Sequence, residues 1–152
     1  MDQTAVRRCY DQYKNGIFRY ALSITKNENL SEDILQETFL RFLTAVCVPG
    51  KEQAWLYRVA RNLCYDHLRK AKREEPEAEM PAHRESRYAY IELIASLTTA
   101  EQEIVTLKIV GGLTHREIGA VLGITARAAQ KRYERAIASL REMEDEHGTE
   151  TL

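Results

Sequence analysis

An all-α fold is predicted for this chain of 152 residues, arranged as two small helical domains joined by a short acidic linker. Three observations carry that prediction. Apolar residues recur at helical spacing nearly throughout, and only three prolines and seven glycines interrupt them. The stretch EEPEAEMPAHRES then breaks the pattern, with two prolines, the cluster Glu74, Glu75, Glu77 and Glu79, and Met80 as its one large apolar side chain. The expected division is a first domain at 1–73, a linker at 74–90 and a second domain at 91–152. Each domain is small enough to be marginally stable alone, so docking onto a partner is expected, and 44% hydrophobic content suffices for a core.

In the first domain the spacing predicts helices at 4–26, 31–46 and 52–72. Ser31 is the expected N-cap of the second, with Glu32 and Asp33 in the first turn where the helix dipole favours negative charge. Ile34, Leu35, Thr38, Phe39, Phe42, Leu43 and Val46 form its inward stripe, and Pro49-Gly50 ends it. Trp55, Leu56, Val59, Leu63 and Leu68 provide the buried face of the third.

The second domain carries two capping-box patterns, Thr98 with Glu101 and Thr114 with Glu117, each expected to start a helix. Gly111-Gly112 separates them, and Thr125, just after Gly123, is a third N-cap candidate. Residues 114–141 read as a helix-turn-helix. Glycine in mid-helix costs about 1 kcal/mol relative to alanine, so Gly119 points to a close helix approach, with Gly123 in the turn. Ile118, Val121, Leu122 and Ile124 make the apolar seam, and Ala129, Tyr133, Ile137 and Leu140 face inward from the second helix. Arg127, Gln130, Lys131, Glu134 and Arg135 project outward, as long polar side chains do towards a DNA groove and its phosphates. A helical hairpin with a merely solvated basic face has the same spacing.

The net charge of −1 conceals strong segregation. Residues 58–73 hold six basic side chains against Asp66, net +5, and residues 125–141 hold five against Glu134, net +4. The acidic linker and a tail with Glu142, Glu144, Asp145, Glu146 and Glu150 balance them. Two basic helices separated by an acidic spacer suggest two phosphate-contacting surfaces.

Several classes are disfavoured. No run approaches the roughly 18 apolar residues of a membrane span, and MDQTAVRRCY lacks a signal peptide's apolar core, so a cytoplasmic chain is expected. Cys9, Cys47 and Cys64 are odd in number with no CxxC pair, and are expected to be reduced, mostly buried thiols. Cys64 and His67 share a helix face, but two ligands do not make a metal site. No phosphate-binding loop, metal constellation or nucleophile motif is present, so neither catalytic residues nor a cofactor are expected.

The segment SLTTAEQEIVTLKIVGGLTHREIGAVLGITARAAQKRYERAIASL resembles region 4 of bacterial sigma factors over about 45 residues without a gap. LuxR-type regulators share a similar helix-turn-helix. The first half decides between them: SEDILQETFLRF resembles the EDxxQExFLR segment of sigma region 2, and AWLYRVARNLCYDHLRK resembles its WLYRIARNxxxDxLRR helix. Both motifs in this order, with a short linker, resemble an extracytoplasmic-function (group IV) sigma factor over residues 10–141.

The resemblance implies a region 2-like helical bundle and a region 4-like helix-turn-helix domain, and a subunit that directs RNA polymerase core to promoters and aids strand opening. It implies partners as well: the polymerase β′ clamp helices and β flap, promoter DNA, and an anti-sigma factor. Asp33, Gln36, Glu37 and Arg41 are the implied polymerase-docking residues. From the residues alone, a solvated face is the preferred reading. Lys51, Gln53, Tyr57, Arg58, Arg61, Asn62 and Arg69 occupy the neighbourhood that contacts the −10 element and traps a flipped base in the family. Trp55 reads as core, and Tyr57 is of a type more often core or boundary than base-stacking, whereas the Asn62 amide suits a base edge. Arg127, Gln130, Lys131, Glu134 and Arg135 would read the −35 element.

The chain departs from the pattern in two places. VCVPGKEQ before Trp55 is short, and Ala126-Arg127-Ala128-Ala129 replaces the usual V-G-T-V. The second change loses a threonine hydroxyl and adds an arginine able to read guanine, beside Gln130, which suits adenine. The acidic linker would thread towards the RNA exit path, its charge mimicking RNA. Two other classes compete with this reading: a stand-alone helix-turn-helix regulator resembling LuxR, and a small DNA-processing nuclease.

Overall fold

The computed structural model describes residues 3–46, 49–72 and 85–150, without the side chains of 85–88 and 143–150. Cys47, Arg73, the glutamate cluster at 74–79 and Met80 lie outside the described residues, as do the side chains of the acidic tail beyond Glu142. The described elements are helices: α1 (Gln3–Thr25), α2 (Glu28–Thr44), α3 (Glu52–Ala71), α4 (Glu85–Ile94), α5 (Thr99–Val105), α6 (His115–Leu122) and α7 (Ala126–Glu150). A π-helical turn, Thr106–Val110, extends α5.

α1, α2 and α3 pack on one another as a three-helix bundle. Ile17, Tyr20, Ala21 and Ile24 of α1 return to one stripe at helical spacing and are buried in one cluster with Ile34, Phe42, Leu56 and Ala60. Aromatic rings seam the bundle: Tyr10 meets Phe39 edge-on at 5.0 Å, Phe39 meets Phe42 at 6.1 Å, and Phe42 meets Trp55 at 5.5 Å. Trp55 is half-buried in that seam, as its reading as a core residue anticipates.

The start of α2 differs from expectation. Asn27, not Ser31, is the N-cap: its side-chain oxygen accepts from Leu30 N–H at 2.9 Å, so the helix begins one turn earlier. Ser31 is buried inside the helix, its hydroxyl donating to the Asn27 carbonyl at 2.7 Å. The helix also ends early, at Thr44, with Ala45 extended. Leu43 is therefore 41% exposed and Val46 fully exposed, and neither belongs to the inward stripe. Pro49-Gly50 follows in a turn, Gly50 at φ 87°.

In the second half, Thr98 and Thr114 form complete capping boxes with Glu101 and Glu117. The Thr125 hydroxyl accepts from Ala128 N–H at 3.1 Å and caps α7. Gly123 closes α6 in the left-handed conformation at φ 73°. A Cβ on Gly119 would lie 2.6 Å from the Ile124 carbonyl oxygen, so the close approach is between α6 and the backbone of its own turn. α4 begins at Glu85, inside the stretch 74–90 expected as linker. Its Tyr90 hydroxyl hydrogen-bonds that of Thr106 at 2.9 Å, and Ile94 is buried, which ties α4 to the second half.

The two halves do not stand apart. α3 packs on α6, and α1 packs on α4, α5 and the π-helical turn. Their buried apolar residues form one continuous cluster. Each half completes its core on the other.

Substituting Gly119→Ala should destabilise the protein by about 2 kcal/mol in urea unfolding, since the methyl meets backbone that cannot rotate away. Asn27→Ala should cost about 1 kcal/mol through loss of the cap.

Candidate nucleic-acid interface

The candidate −10 residues separate onto two faces of α3. Gln53, Tyr57 and Arg61 recur every fourth position, with Tyr65 continuing the row, and this stripe faces the second half of the chain. Gln53 Nε2 donates to the Gly111 carbonyl at 2.5 Å. Tyr57 is 1% exposed, its ring edge-on to Tyr20 at 5.5 Å. Its hydroxyl sits between α1 and the end of the π-helical turn: a Cβ on Gly16 would collide with it, and one on Gly111 would come within 3.3 Å. Burial pushes the Tyr57 pKa well up. In this arrangement Tyr57 is a core residue with no surface left for a base.

Arg61 and Tyr65 meet Glu103 of α5. The Arg61 guanidinium Nε donates to Glu103 Oε1 at 3.0 Å, the Tyr20 hydroxyl donates to the same oxygen at 2.7 Å, and the Tyr65 hydroxyl donates to Oε2. The Glu103 side chain is 5% exposed and that of Arg61 29%. The guanidinium also lies over the Tyr65 ring, 4.7 Å from its centre. Burial, reinforced by the Glu103 charge, raises the Tyr20 pKa, and burial with the Glu103 hydrogen bond raises that of Tyr65. Both hydroxyls therefore stay protonated and donate. Beside this cluster, Cys64 is buried and its thiol is pushed up to about 12 by burial, while His67 is exposed. Cys9 is half-buried and its thiol is likewise raised by burial.

The other candidates, Lys51, Arg58, Asn62 and Arg69, are exposed. Arg69 pairs with Asp66 one turn back. Arg58 and Asn62 are four apart and present a cation and an amide side by side on open surface.

On α7, Arg127, Gln130, Lys131, Glu134 and Arg135 are all exposed, while Ala129 and Ala136 are buried against the rest of the domain. Gln130 Nε2 donates to Glu134 Oε1 at 3.2 Å, so these two candidate readers hold each other. Arg116 of α6 and Arg132 of α7, not singled out in the sequence, are exposed in the same helix-turn-helix and enlarge its cationic surface. Tyr133 turns inward, its ring 5.9 Å from that of His115.

On α2, Asp33, Gln36 and Arg41 are exposed and Glu37 is half-buried, with Arg41 Nε to Glu37 Oε1 at 3.1 Å. Leu40 is 59% exposed beside them. With Val6, Tyr10, Phe39 and Leu43 it lines a groove of about 480 Å³ between α1 and α2.

Three surfaces thus coexist on one helical chain: a mixed polar and apolar face on α2, a cationic and amide face on α3, and a cationic helix-turn-helix. The family comparisons follow the same division. The Sigma-70 region 2 model matches residues 9–74, and the Sigma-70, region 4 model matches residues 87–140. The ECF RNA polymerase sigma factor SigM of Bacillus subtilis is 30% identical over 131 residues, covering 76% of this chain and 80% of SigM. The chain belongs to the ECF sigma factor family.

The ECF sigma factor SigE of Mycolicibacterium smegmatis is 31% identical over 160 residues, which cover 92% of this chain and 62% of SigE. Among solved structures, CnrH in complex with the cytosolic domain of CnrY superposes with a TM-score of 0.67 at 26% identity, covering 95% of this chain and 90% of that one. The sigma factor RpoE of Bartonella quintana, in complex with the anti-sigma factor NepR, shares the fold at a TM-score of 0.73 and 20% identity, covering 91% of this chain and 96% of that one. A stand-alone regulator would leave the region 2 half unexplained. Sigma factors are transcription initiation factors, and among the described residues no helix of this one is long and apolar enough to cross a membrane.

Glu103, Tyr20 and Tyr65 were missed by sequence reasoning. The available signal was the four-residue recurrence of Gln53, Tyr57, Arg61 and Tyr65, a stripe too polar for a core face and too aromatic for a solvated one. Arg58→Ala and Asn62→Ala should leave folding stability within about 0.5 kcal/mol in urea titration, because both side chains are exposed. Gly16→Ala, whose methyl would strike the Tyr57 hydroxyl, should cost about 1–3 kcal/mol in the same titration.

Proposed function

We propose that the exposed faces of this ECF sigma factor divide promoter recognition between them. The arrangement of α7 carries the assignment: its outward residues are all free of the core, at the end of a helix-turn-helix capped by Thr125. Arg127 and Gln130 read base edges of the −35 element, while Lys131, Arg132 and Arg135 hold flanking phosphates. Asn62 and Arg58 contact the −10 element, joined by Lys51, Arg69 and the Gln53, Tyr57 and Arg61 stripe once that stripe is uncovered.

The α2 face docks on polymerase core. Leu40 and the groove beside it provide apolar area, and Asp33, Gln36, Glu37 and Arg41 provide the polar rim expected of a protein interface. By family likeness the acceptor is the β′ clamp helices, with the second half reaching the β flap. The likeness to RpoE with NepR and to CnrH with CnrY supports an anti-sigma partner for this chain too. The protein works in the cytoplasm with polymerase and contributes no catalytic group of its own.

In vitro transcription with bacterial core polymerase and a promoter library tests this. Added protein should associate with core and direct initiation; failure of both would remove the assignment. Asn62→Ala should weaken strand opening with core binding intact, whereas equal loss of both would point to misfolding. Replacing Arg127 with alanine should cost about 1–3 kcal/mol of promoter discrimination, read as a broadened sequence preference at one −35 position.

A further inference from the structure

The outward face of α7 carries two adjacent rows at four-residue spacing. One is cationic throughout: Arg127, Lys131 and Arg135. The other runs Ala126, Gln130, Glu134 and Ala138, all exposed. Glu134 is the one acidic residue against five basic ones in 125–141, and it stands on the face that meets DNA in the assignment above. Its charge works against phosphate binding. Its hydrogen bond points to what it does instead.

Although Lys131 and Arg135 flank it in sequence, Glu134 Oε1 accepts from Gln130 Nε2 at 3.2 Å. That bond fixes which way round the amide lies. A carboxylate can only accept, so the end of Gln130 that faces it is the NH2, with the carbonyl turned away. A solvated amide without such a partner exchanges its two ends by a half-turn about its last torsion. Ala126, one turn back in the same row, offers the amide only a methyl side chain, so nothing in the row favours the opposite orientation. In the major groove adenine presents the acceptor N7 beside the N6 amino donor, and a glutamine reads the pair with one N–H and its carbonyl. The amide proton beside the carbonyl serves N7, and the other is left for Glu134.

Resting on the assignment of α7 to the −35 element, we infer that Glu134 is a positioning residue for Gln130, holding its amide in the orientation that matches adenine and sharpening base preference at one −35 position. Glu134 itself touches no base. An exposed pair of this kind biases an equilibrium by about twofold, and the groove strengthens the bias by excluding water.

The test uses holoenzyme assembled from the full chain and bacterial core polymerase, bound to a promoter library randomised across the −35 element, with the bound DNA sequenced. Gln130→Ala should lower adenine preference at one position by about fivefold to a hundredfold. Glu134→Ala should lower it at that same position by about two- to fivefold. Glu134→Gln keeps an acceptor of the same reach without the charge, and should keep most of the preference. In the Gln130→Ala background, Glu134→Ala should alter no base preference. Both positions are exposed and alanine favours a helix, so every variant should keep the wild-type circular dichroism. Unchanged adenine preference in Glu134→Ala would overturn the positioning role. Equal loss in Glu134→Gln would overturn it too, by assigning the effect to charge. A shift at a different position, or one that persists without Gln130, would make Glu134 a direct reader, as of cytosine N4, and overturn it likewise. If Gln130→Ala changes nothing while holoenzyme still selects −35 sequences, Gln130 is no reader and Glu134 has nothing to position. Holoenzyme blind to the −35 sequence would instead remove the assignment of α7 itself.

Discussion

The carboxylate of Glu103 sits 5% exposed between Tyr20, Arg61 and Tyr65, and most of what distinguishes this molecule follows from the need to satisfy it. A charge removed from water is tolerated only when its oxygens are hydrogen-bonded and a counter-charge is near. Both conditions are met by groups on the other half of the chain. A carboxylate on α5 therefore ties the region 4 half to α1 and α3 of the region 2 half, and sets the face of α3 that the second half covers. An isolated region 4 half would have to solvate Glu103, and an isolated region 2 half would expose the buried ring of Tyr57. Two domains of marginal size become one body with a continuous core.

The same constraint explains why one helix shows two chemistries. Four-residue spacing places Gln53, Tyr57, Arg61 and Tyr65 in a row, and the row meets a glycine carbonyl, a glycine gap and a carboxylate in turn. The neighbouring row, with Arg58 and Asn62, remains in water. Both rows carry groups suited to nucleic acid. Docking removes one of them from use, while α7 and the α2 face stay available. The molecule thus leaves the candidate faces of α7 and α2 exposed and covers part of the candidate face of α3.

Much of this was legible in the sequence, for reasons that are local. The capping boxes at Thr98 and Thr114, the Thr125 cap, the Gly119 approach and the outward face of α7 depend on residues within one or two turns of each other. α1 and α3 fall within about a residue of their expected bounds because their apolar stripes are long. Misses arose where a distant partner or a competing local bond decided. Asn27 displaced Ser31 as cap because the serine hydroxyl found a carbonyl inside the helix. Residues 85–90 fold into α4 because Tyr90 meets Thr106. Tyr57 is core and Glu103 is buried because the halves dock, which no local pattern records. The family relationship was readable from two motifs in order, whereas the masking of one of them was a tertiary fact.

The account turns on whether Glu103 and Arg61 stabilise each other across the two halves. A double-mutant cycle in urea unfolding, with Arg61→Ala, Glu103→Ala and the pair combined, measures that directly. The account predicts a coupling of about 1 kcal/mol or more, because either single change leaves a partner unmatched that the double change removes. Additivity within about 0.5 kcal/mol would contradict it.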